Sequence, residues 1–258
     1  MINSSLDDQL RAYITKRIRT EFEAESAKHE PSGKLSAGQL GKPLLEQVLK
    51  VIGVPTKDVD DYALGLFRRG DSVEDEIMDL LQPDETQKEV VYKDCIGIVD
   101  AIKDDQVYEV KSIKNSAVCY IDPENHKRIR RGGELVAQYG GVKWAHALQG
   151  ALYALALNKD HFTIIYVAAD DLRTYPHIIA TEELKADVDQ IITQVKHQLA
   201  LGVLPEWQPR EDWQAKPENL QYSNYPAWIN MDVATMMTKL RNQYPDAYTK
   251  LTKGTSKK

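Results

Sequence analysis

The chain has 258 residues, 42% hydrophobic and 28% charged, the composition of a folded protein with a sizeable core. It holds no apolar run near the roughly 18 residues of a membrane span, and its opening "MINSSLDDQLRAYITKRIRTEF" lacks the apolar centre of a secretory signal, so a cytoplasmic location is expected. A net charge of -6 speaks against nonspecific wrapping by nucleic acid while permitting a local basic groove, and the two cysteines, Cys95 and Cys119, are too few for a disulfide framework or a four-cysteine metal site.

Leu6, Leu10, Ile14, Ile18 and Phe22 recur among charges at helical spacing, which predicts an amphipathic helix over 5–27. The loop "KHEPSGK" follows. Leu40, Leu44, Leu45, Val48, Leu49 and Ile52 then predict a second helix within "SAGQLGKPLLEQVLKVIGV", stopped by Pro55. In "LFRRGDSVEDEIMDLLQP", Ser72 and Asp75 make a capping-box pattern, so a third helix is expected to open at Ser72 and end at Pro83. On it Glu74 shares a face with Ile77, Met78 and Leu81. A buried carboxylate there needs a cation partner; the other reading is a solvated acid in the first turn, favoured by the helix dipole.

The period then changes. "CIGIVDAI" and "VYEVKSI" flank "KDDQ" and predict a hairpin over roughly 90–114 with Asp104–Asp105 at its tip. In that register Lys103 faces Gln106, Ile102 faces Val107, Ala101 faces Tyr108, and Asp100 faces Glu109. Opposed like charges destabilise a sheet. Strand alternation puts Glu109 and Lys111 on one face, Tyr108 and Val110 on the other. Two readings fit. Lys111 screens two surface acids on a solvated hairpin, or the carboxylates cradle a hard divalent cation, Mg²⁺ or Mn²⁺, with Lys111 orienting a water or stabilising negative charge.

A further strand is expected at "AVCYI", followed by the basic loop "DPENHKRIRRGGE". "VKWAHALQGALYALAL" is apolar nearly all round, as in a buried helix. Gln149 and Tyr153 lie one turn apart on it, the glutamine serving either a phosphate or base or a neighbouring strand; His146 reads first as a satisfied core histidine. "HFTIIYVAA" and "YPHIIAT" predict strands, 181–202 a surface helix, and 231–244 a last helix before a lysine-rich tail. Between these helices the segment "LPEWQPREDWQAKPENLQYSNYPAW" is irregular. Arg68, Arg69 and the run holding Lys127, Arg128, Arg130 and Arg131 either meet a phosphate backbone or are simply solvated. The element order predicts one compact α/β domain with a central mixed sheet flanked by helices, made of an N-terminal helix (1–30), a core (31–210) and a C-terminal segment (211–258).

In their order these pieces resemble the PD-(D/E)XK nuclease superfamily, and within it the RecB-type branch that includes phage exonucleases and CRISPR-associated nucleases. Gly70-Asp-Ser-Val-Glu74 is similar to the branch's G-x-x-x-(H/E) motif, Gly97-Ile-Val-Asp100 to G-x-x-D, and Glu109-Val-Lys111 to E-x-K. His146, Gln149 and Tyr153 resemble H-x-x-Q-x-x-x-Y, and "LSAGQLGKP", with Ser36, resembles S-x-S-x-L with Gly38 in place of the second serine. The resemblance spans about 35–210 and implies a restriction-endonuclease-like core. It implies that Asp100, Glu109 and the Val110 carbonyl hold one or two Mg²⁺ or Mn²⁺ ions, with Glu74 helping directly or through water. Lys111 then positions the attacking water, and Gln149 and Tyr153 support the phosphate or the lysine. Arg68, Arg69, Lys127, Arg128, Arg130, Arg131 and Ser36 become nucleic-acid contacts.

The implied activity is a metal-dependent deoxyribonuclease, an exonuclease of recombination, repair or DNA turnover acting on ends or single strands. The alternatives are an endonuclease or nickase on the same core and a non-catalytic nucleic-acid-binding protein. There are departures. Glu74 stands where many relatives have His, and the cysteine-free C-terminal segment implies no iron–sulfur cluster. Trp207, Trp213, Tyr222, Tyr225 and Trp228 are expected to supply packing in its place, with stacking on unpaired bases the alternative. No glycine-rich phosphate loop is present, so unwinding falls to a helicase or recombination partner; a homo-oligomer and a virus-encoded origin are both compatible.

Overall fold

The computed structural model describes residues 4–26, 33–113, 118–121, 128–131, 141–169 and 172–253. In chain order the elements are α1 (Ser4–Ser26), β1 (Leu35–Ser36), α2 (Leu44–Ile52), α3 (Asp61–Leu81), β2 (Glu85–Tyr92), β3 (Cys95–Lys103) and β4 (Gln106–Ile113). They continue with β5 (Val118–Ile121), β6 (Arg128–Arg131), α4 (Trp144–Leu157), β7 (His161–Ala168), β8 (Thr174–Ala180), α5 (Glu182–Leu201), α6 (Val233–Gln243) and α7 (Pro245–Lys253).

The central sheet runs β1-β3-β4-β7-β8, with β2 on the other edge of β3, and β5–β6 form a separate pair. It is mixed: β1 with β3 and β4 with β7 are parallel, the rest antiparallel. Parallel β4 and β7 require a crossover, which carries α4 across one face of the sheet. There Leu148, Ala151 and Leu152 of α4 and Val188, Ile191 and Val195 of α5 bury against Val99, Val107, Phe162 and Ile164. On the opposite face Val73 and Ile77 of α3 cover Val110, Ile165 and Val167. A second core joins α2, α6 and α7 through Leu45, Leu49, Leu240 and Leu251.

The hairpin has the expected register: Lys103 pairs with Gln106, Ile102 with Val107 and Ala101 with Tyr108. Asp104 and Asp105 hold φ of 48° and 65° at its tip, the left-handed pair that a two-residue hairpin turn needs. Five expectations are corrected. The third helix starts twelve residues early, where Asp60, and not Ser72, is the N-cap and accepts a hydrogen bond from the Ala63 amide at 2.8 Å. Ser72 is therefore mid-helix, its hydroxyl donating back to the Arg68 carbonyl at 3.0 Å. The second helix begins only after Pro43, residues 37–39 forming a separate 3-10 turn.

A strand, β2, precedes the hairpin; its exposed "ETQKE" carries no apolar alternation to announce it. Arg128–Arg131 is a strand and not a loop, paired with the expected strand at Val118–Ile121. The tail continues as α7, whose Ala247 and Leu251 are buried. Of the C-terminal aromatics, Tyr225 and Trp228 enter the second core and Trp207 packs against it, while Trp213 and Tyr222 stay exposed. Among the described residues, no helix is long and apolar enough to cross a membrane.

Candidate active site

The site is built where β3 abandons its neighbours. On one edge its ladder with β4 stops at Ala101–Tyr108, so Asp100 does not pair with Glu109 as the register alone predicts. Instead the Asp100 carboxylate accepts the Val110 amide proton at 2.8 Å, a side chain taking the place of a backbone partner. On the other edge the ladder with β2 is formed at Ala101–Thr86 and at Val99–Lys88 but not between them. Gln87, which would face Asp100, has a φ of 49° and donates its side-chain amide to Glu74 at 2.8 Å. A non-glycine residue in this region is strained, and such strain clusters at functional sites.

Strand alternation delivers the rest. Val110 points into the α3 face, while Glu109 points to the opposite face with an exposure of 0%. Lys111 forms an ion pair with Glu109, yet neither Glu109 oxygen receives a well-oriented hydrogen bond. A buried carboxylate in that condition is costly. Gln149 donates to the Tyr153 hydroxyl at 2.8 Å across one turn of α4.

The protonation energetics show how crowded the acids are. Burial pushes Glu109 up to about 8 against the pull of Lys111, with Asp100 and Glu74 adding to the rise. Burial, then the Asp100 charge, pushes Glu74 up to about 7. Burial also raises Asp100, eased by Lys111 and the Val110 amide. For Lys111 burial acts downward, but Glu109, Asp100 and Glu74 outweigh it and its pKa is raised. When ionised, three carboxylates against one ammonium leave an excess of negative charge suited to a divalent cation, and an all-oxygen donor set suits a hard one. Among the described residues no three His, Cys, Asp or Glu side chains already stand in a ligating group. One oxygen each of Asp100 and Glu74 is taken by Val110 and Gln87, and Lys111 lies against Glu109. The donors fit a metal in chemistry and charge; the fully buried Glu109, crowded by two further carboxylates with one ammonium among them, is the specific mark of that fit.

Two clefts meet at Glu74. One, about 550 Å³, is lined by Ser36, Gly38, Gln87, Asp100, Gln149 and Tyr153. The other, about 670 Å³, lies between α1 and α3 and reaches Lys111. The basic candidates are more scattered. Arg68 pairs with Glu21 of α1, Arg69 is engaged in an interaction of its own, Arg128, Arg130 and Arg131 lie on β6, and Lys127 is outside the described residues.

No protein-family model matches the chain, and no curated protein matches it. Among solved structures it is similar to the alkaline exonuclease LHK-Exo from Laribacter hongkongensis, with 11% identity and a TM-score of 0.43, covering 64% of this chain and 89% of that one. LHK-Exo in complex with dAMP gives 12%, 0.43, 65% and 90% in the same terms. SSO0001 gives 16%, 0.47, 81% and 95%. Likeness this distant transfers no residue roles, so the roles below rest on the contacts of this chain.

The structure also explains a glycine that the motif only marked. A Cβ on Gly97 would lie 2.3 Å from Cε1 of Tyr153, so only glycine lets the ring lie on the strand. Gly97→Ala is expected to push Tyr153 off its Gln149 bond and lower kcat/KM by roughly 100-fold, the cost of about 1 Å of misplacement. Steady-state kinetics of the folded variant checks this; wild-type kcat/KM would show that the ring's placement does not matter.

Sequence reasoning missed Gln87, and also Tyr166, whose hydroxyl contacts His146 Nδ1 at 2.9 Å and accepts the Lys143 amide at 3.0 Å. Burial, then Lys111 and Lys143, pushes His146 down to about 3, consistent with a neutral supporting ring. The skipped alternation at Gln87 leaves no pattern to read, but a histidine one turn before Gln149 was visible.

Proposed function

We propose that this chain is a metal-dependent nuclease that hydrolyses DNA phosphodiester bonds, acting on ends or single strands as an exonuclease. The observation that carries the reading is the fully buried Glu109 carboxylate, ion-paired with Lys111 and crowded by the Asp100 and Glu74 carboxylates. Asp100, Glu109, the Val110 carbonyl and Glu74 would hold Mg²⁺ or Mn²⁺. When bound, such an ion stabilises charge on the phosphate and acidifies a water. The chain's own groups do the remainder. Lys111, held among the carboxylates, orients the attacking water and opposes the charge that develops in hydrolysis. Tyr153 and Gln149 form a rigid polar wall of the cleft against the phosphate. Ser36 lines the same cleft and is a phosphate contact, and Arg69 and the β6 arginines contribute charge along the strand, while Arg68 is held by Glu21.

The test is a cleavage assay with Mg²⁺ or Mn²⁺ on linear single-stranded, linear double-stranded and covalently closed circular DNA, with Asp100→Asn as control. Loss of linear DNA alone, absent in the variant, is the expected result. Cut circles would make the protein an endonuclease, and binding without cleavage on any substrate would overturn the catalytic reading.

A further inference from the structure

The cleft between α1 and α3 is not accounted for by metal or phosphate chemistry. Its floor is Val110, Lys111 and Ser112 of β4. Its walls are apolar: Ile18 and Phe22 from α1, Leu64, Leu66 and Phe67 from α3. Phe67 is 49% exposed and Leu66 38%, and neither belongs to a buried core cluster. The Phe22 and Phe67 rings stack with centroids 6.1 Å apart and an interplanar angle of 26°. Helix α1 is fastened to α3 around this pair by Arg68 with Glu21 and by Arg19 with Asp61. A half-exposed Phe67 beside the half-buried Phe22 in a concavity of this size is a feature of ligand sites.

Charge selects the occupant. The cations lining the cleft are already engaged, Arg68 by Glu21 and Lys111 by Glu109, while Asp71 and Glu74 add carboxylates. A phosphate or an acidic peptide is repelled there. A flat, uncharged, stackable group is not. The cleft also meets the Asp100 cleft at Glu74, so a strand with a phosphate in one has a base within reach of the other.

Resting on the nuclease reading, we propose that the α1–α3 cleft receives an unpaired nucleobase, stacked on Phe67 and Phe22, while the neighbouring phosphate lies in the adjoining Asp100 cleft. A base inside a duplex is already stacked and paired and cannot enter, so this cleft makes the protein select single-stranded or frayed DNA. Stacking is sequence-tolerant, so it selects strandedness and not sequence.

The experiment compares wild type, Phe67→Ala and Phe67→Tyr on a single-stranded oligonucleotide and on the same oligonucleotide made of abasic sites. Affinity is read by fluorescence anisotropy in Ca²⁺, and cleavage is followed in Mg²⁺. Phe67→Ala is expected to weaken the ordinary oligonucleotide roughly 10-fold. Phe67→Tyr keeps wild-type affinity, and the abasic strand binds wild type and Phe67→Ala alike. Phe67→Ala weakening both strands equally, or neither, overturns the proposal. If cleavage persists in that case, the nuclease reading stands and only the base site falls. Base-dependent binding without any cleavage supports the base site and overturns the nuclease reading; no binding of either strand overturns the base site.

Discussion

Glu109→Gln is expected to abolish cleavage and at the same time to make the metal-free protein more stable. Glu109 has 0% exposure, and its burial outweighs the pull of the Lys111 ion pair, so its charge is costly in the metal-free protein. A neutral isostere removes the desolvation that raises Glu109, so the metal-free variant is expected to be the more stable at alkaline pH. Lys111 keeps the Asp100 and Glu74 charges as partners after the change. Activity is expected below roughly one-hundredth of wild type.

The pH dependence follows from the raised carboxyls. Glu109 sits at about 8 and Glu74 at about 7, both above the ordinary 4.5. A folded-state pKa that is raised means stability is complete below the ordinary value and is lost as pH rises through the folded one. In EDTA the wild-type melting temperature is therefore expected to fall between pH 5 and pH 9, across the 4.5-to-8 interval of these groups, and to fall less in Glu109→Gln. Thermal melts across that range, with and without Mg²⁺, check both halves: the ion should raise the wild-type melting temperature and not the variant's. A variant that is less stable than wild type in EDTA at pH 9 would remove the argument.

Arg210→Met is expected to cost roughly 2–4 kcal/mol of stability, because one partly buried guanidinium ties together segments far apart in sequence. Its Nε donates to the Lys42 carbonyl at 2.7 Å, and its Nη2 to Gln47 at 3.1 Å and Gln194 at 3.3 Å. Its backbone amide donates to Gln214, which in turn donates to the Gly41 carbonyl at 3.1 Å. Gln47 completes the set by donating to the Gln39 and Leu40 carbonyls at 2.8 and 3.0 Å. The turn held in this way leads directly from Ser36 and Gly38 in the Asp100 cleft. Burial lowers the Arg210 pKa, as for a cation without a carboxylate beside it. Urea denaturation checks the expectation, and an unchanged midpoint would show that the C-terminal segment is held without this residue. The expected aromatic staple is thus only part of the tether: Tyr225 and Trp228 supply apolar packing, and Arg210 with the Glu46–Ser223 bond at 2.8 Å supplies the polar part.

Local signals were legible. A two-residue Asp104–Asp105 turn fixes the hairpin register, because a slip by one residue would turn every side chain to the wrong face. The i, i+4 spacing puts Gln149 and Tyr153 on one face of the buried helix, but that Gln149 donates to the Tyr153 hydroxyl, and not to a strand, is seen only in the structure. The apolar face of α3 was readable around Ile77, but its start was not: the Ser72–Asp75 pattern is a local cap, and Asp60 with a helix packed on β4 overrode it. The tail after 244 reads as polar, yet Ala247 and Leu251 find α2, a partner no local pattern names.

Periodicity in the chain was enough for the α/β class, the hairpin and the shared face of Glu109 and Lys111, because spacing along a strand decides which side chains lie together. Only the tertiary structure decided that Asp100 leaves both ladders, that Gln87 turns to Glu74 and that Arg210 locks the turn beside the cleft. Those contacts join residues whose separation in the chain exceeds any helical or strand period, and their energy comes from burial that exists only once the sheet and its helices have closed.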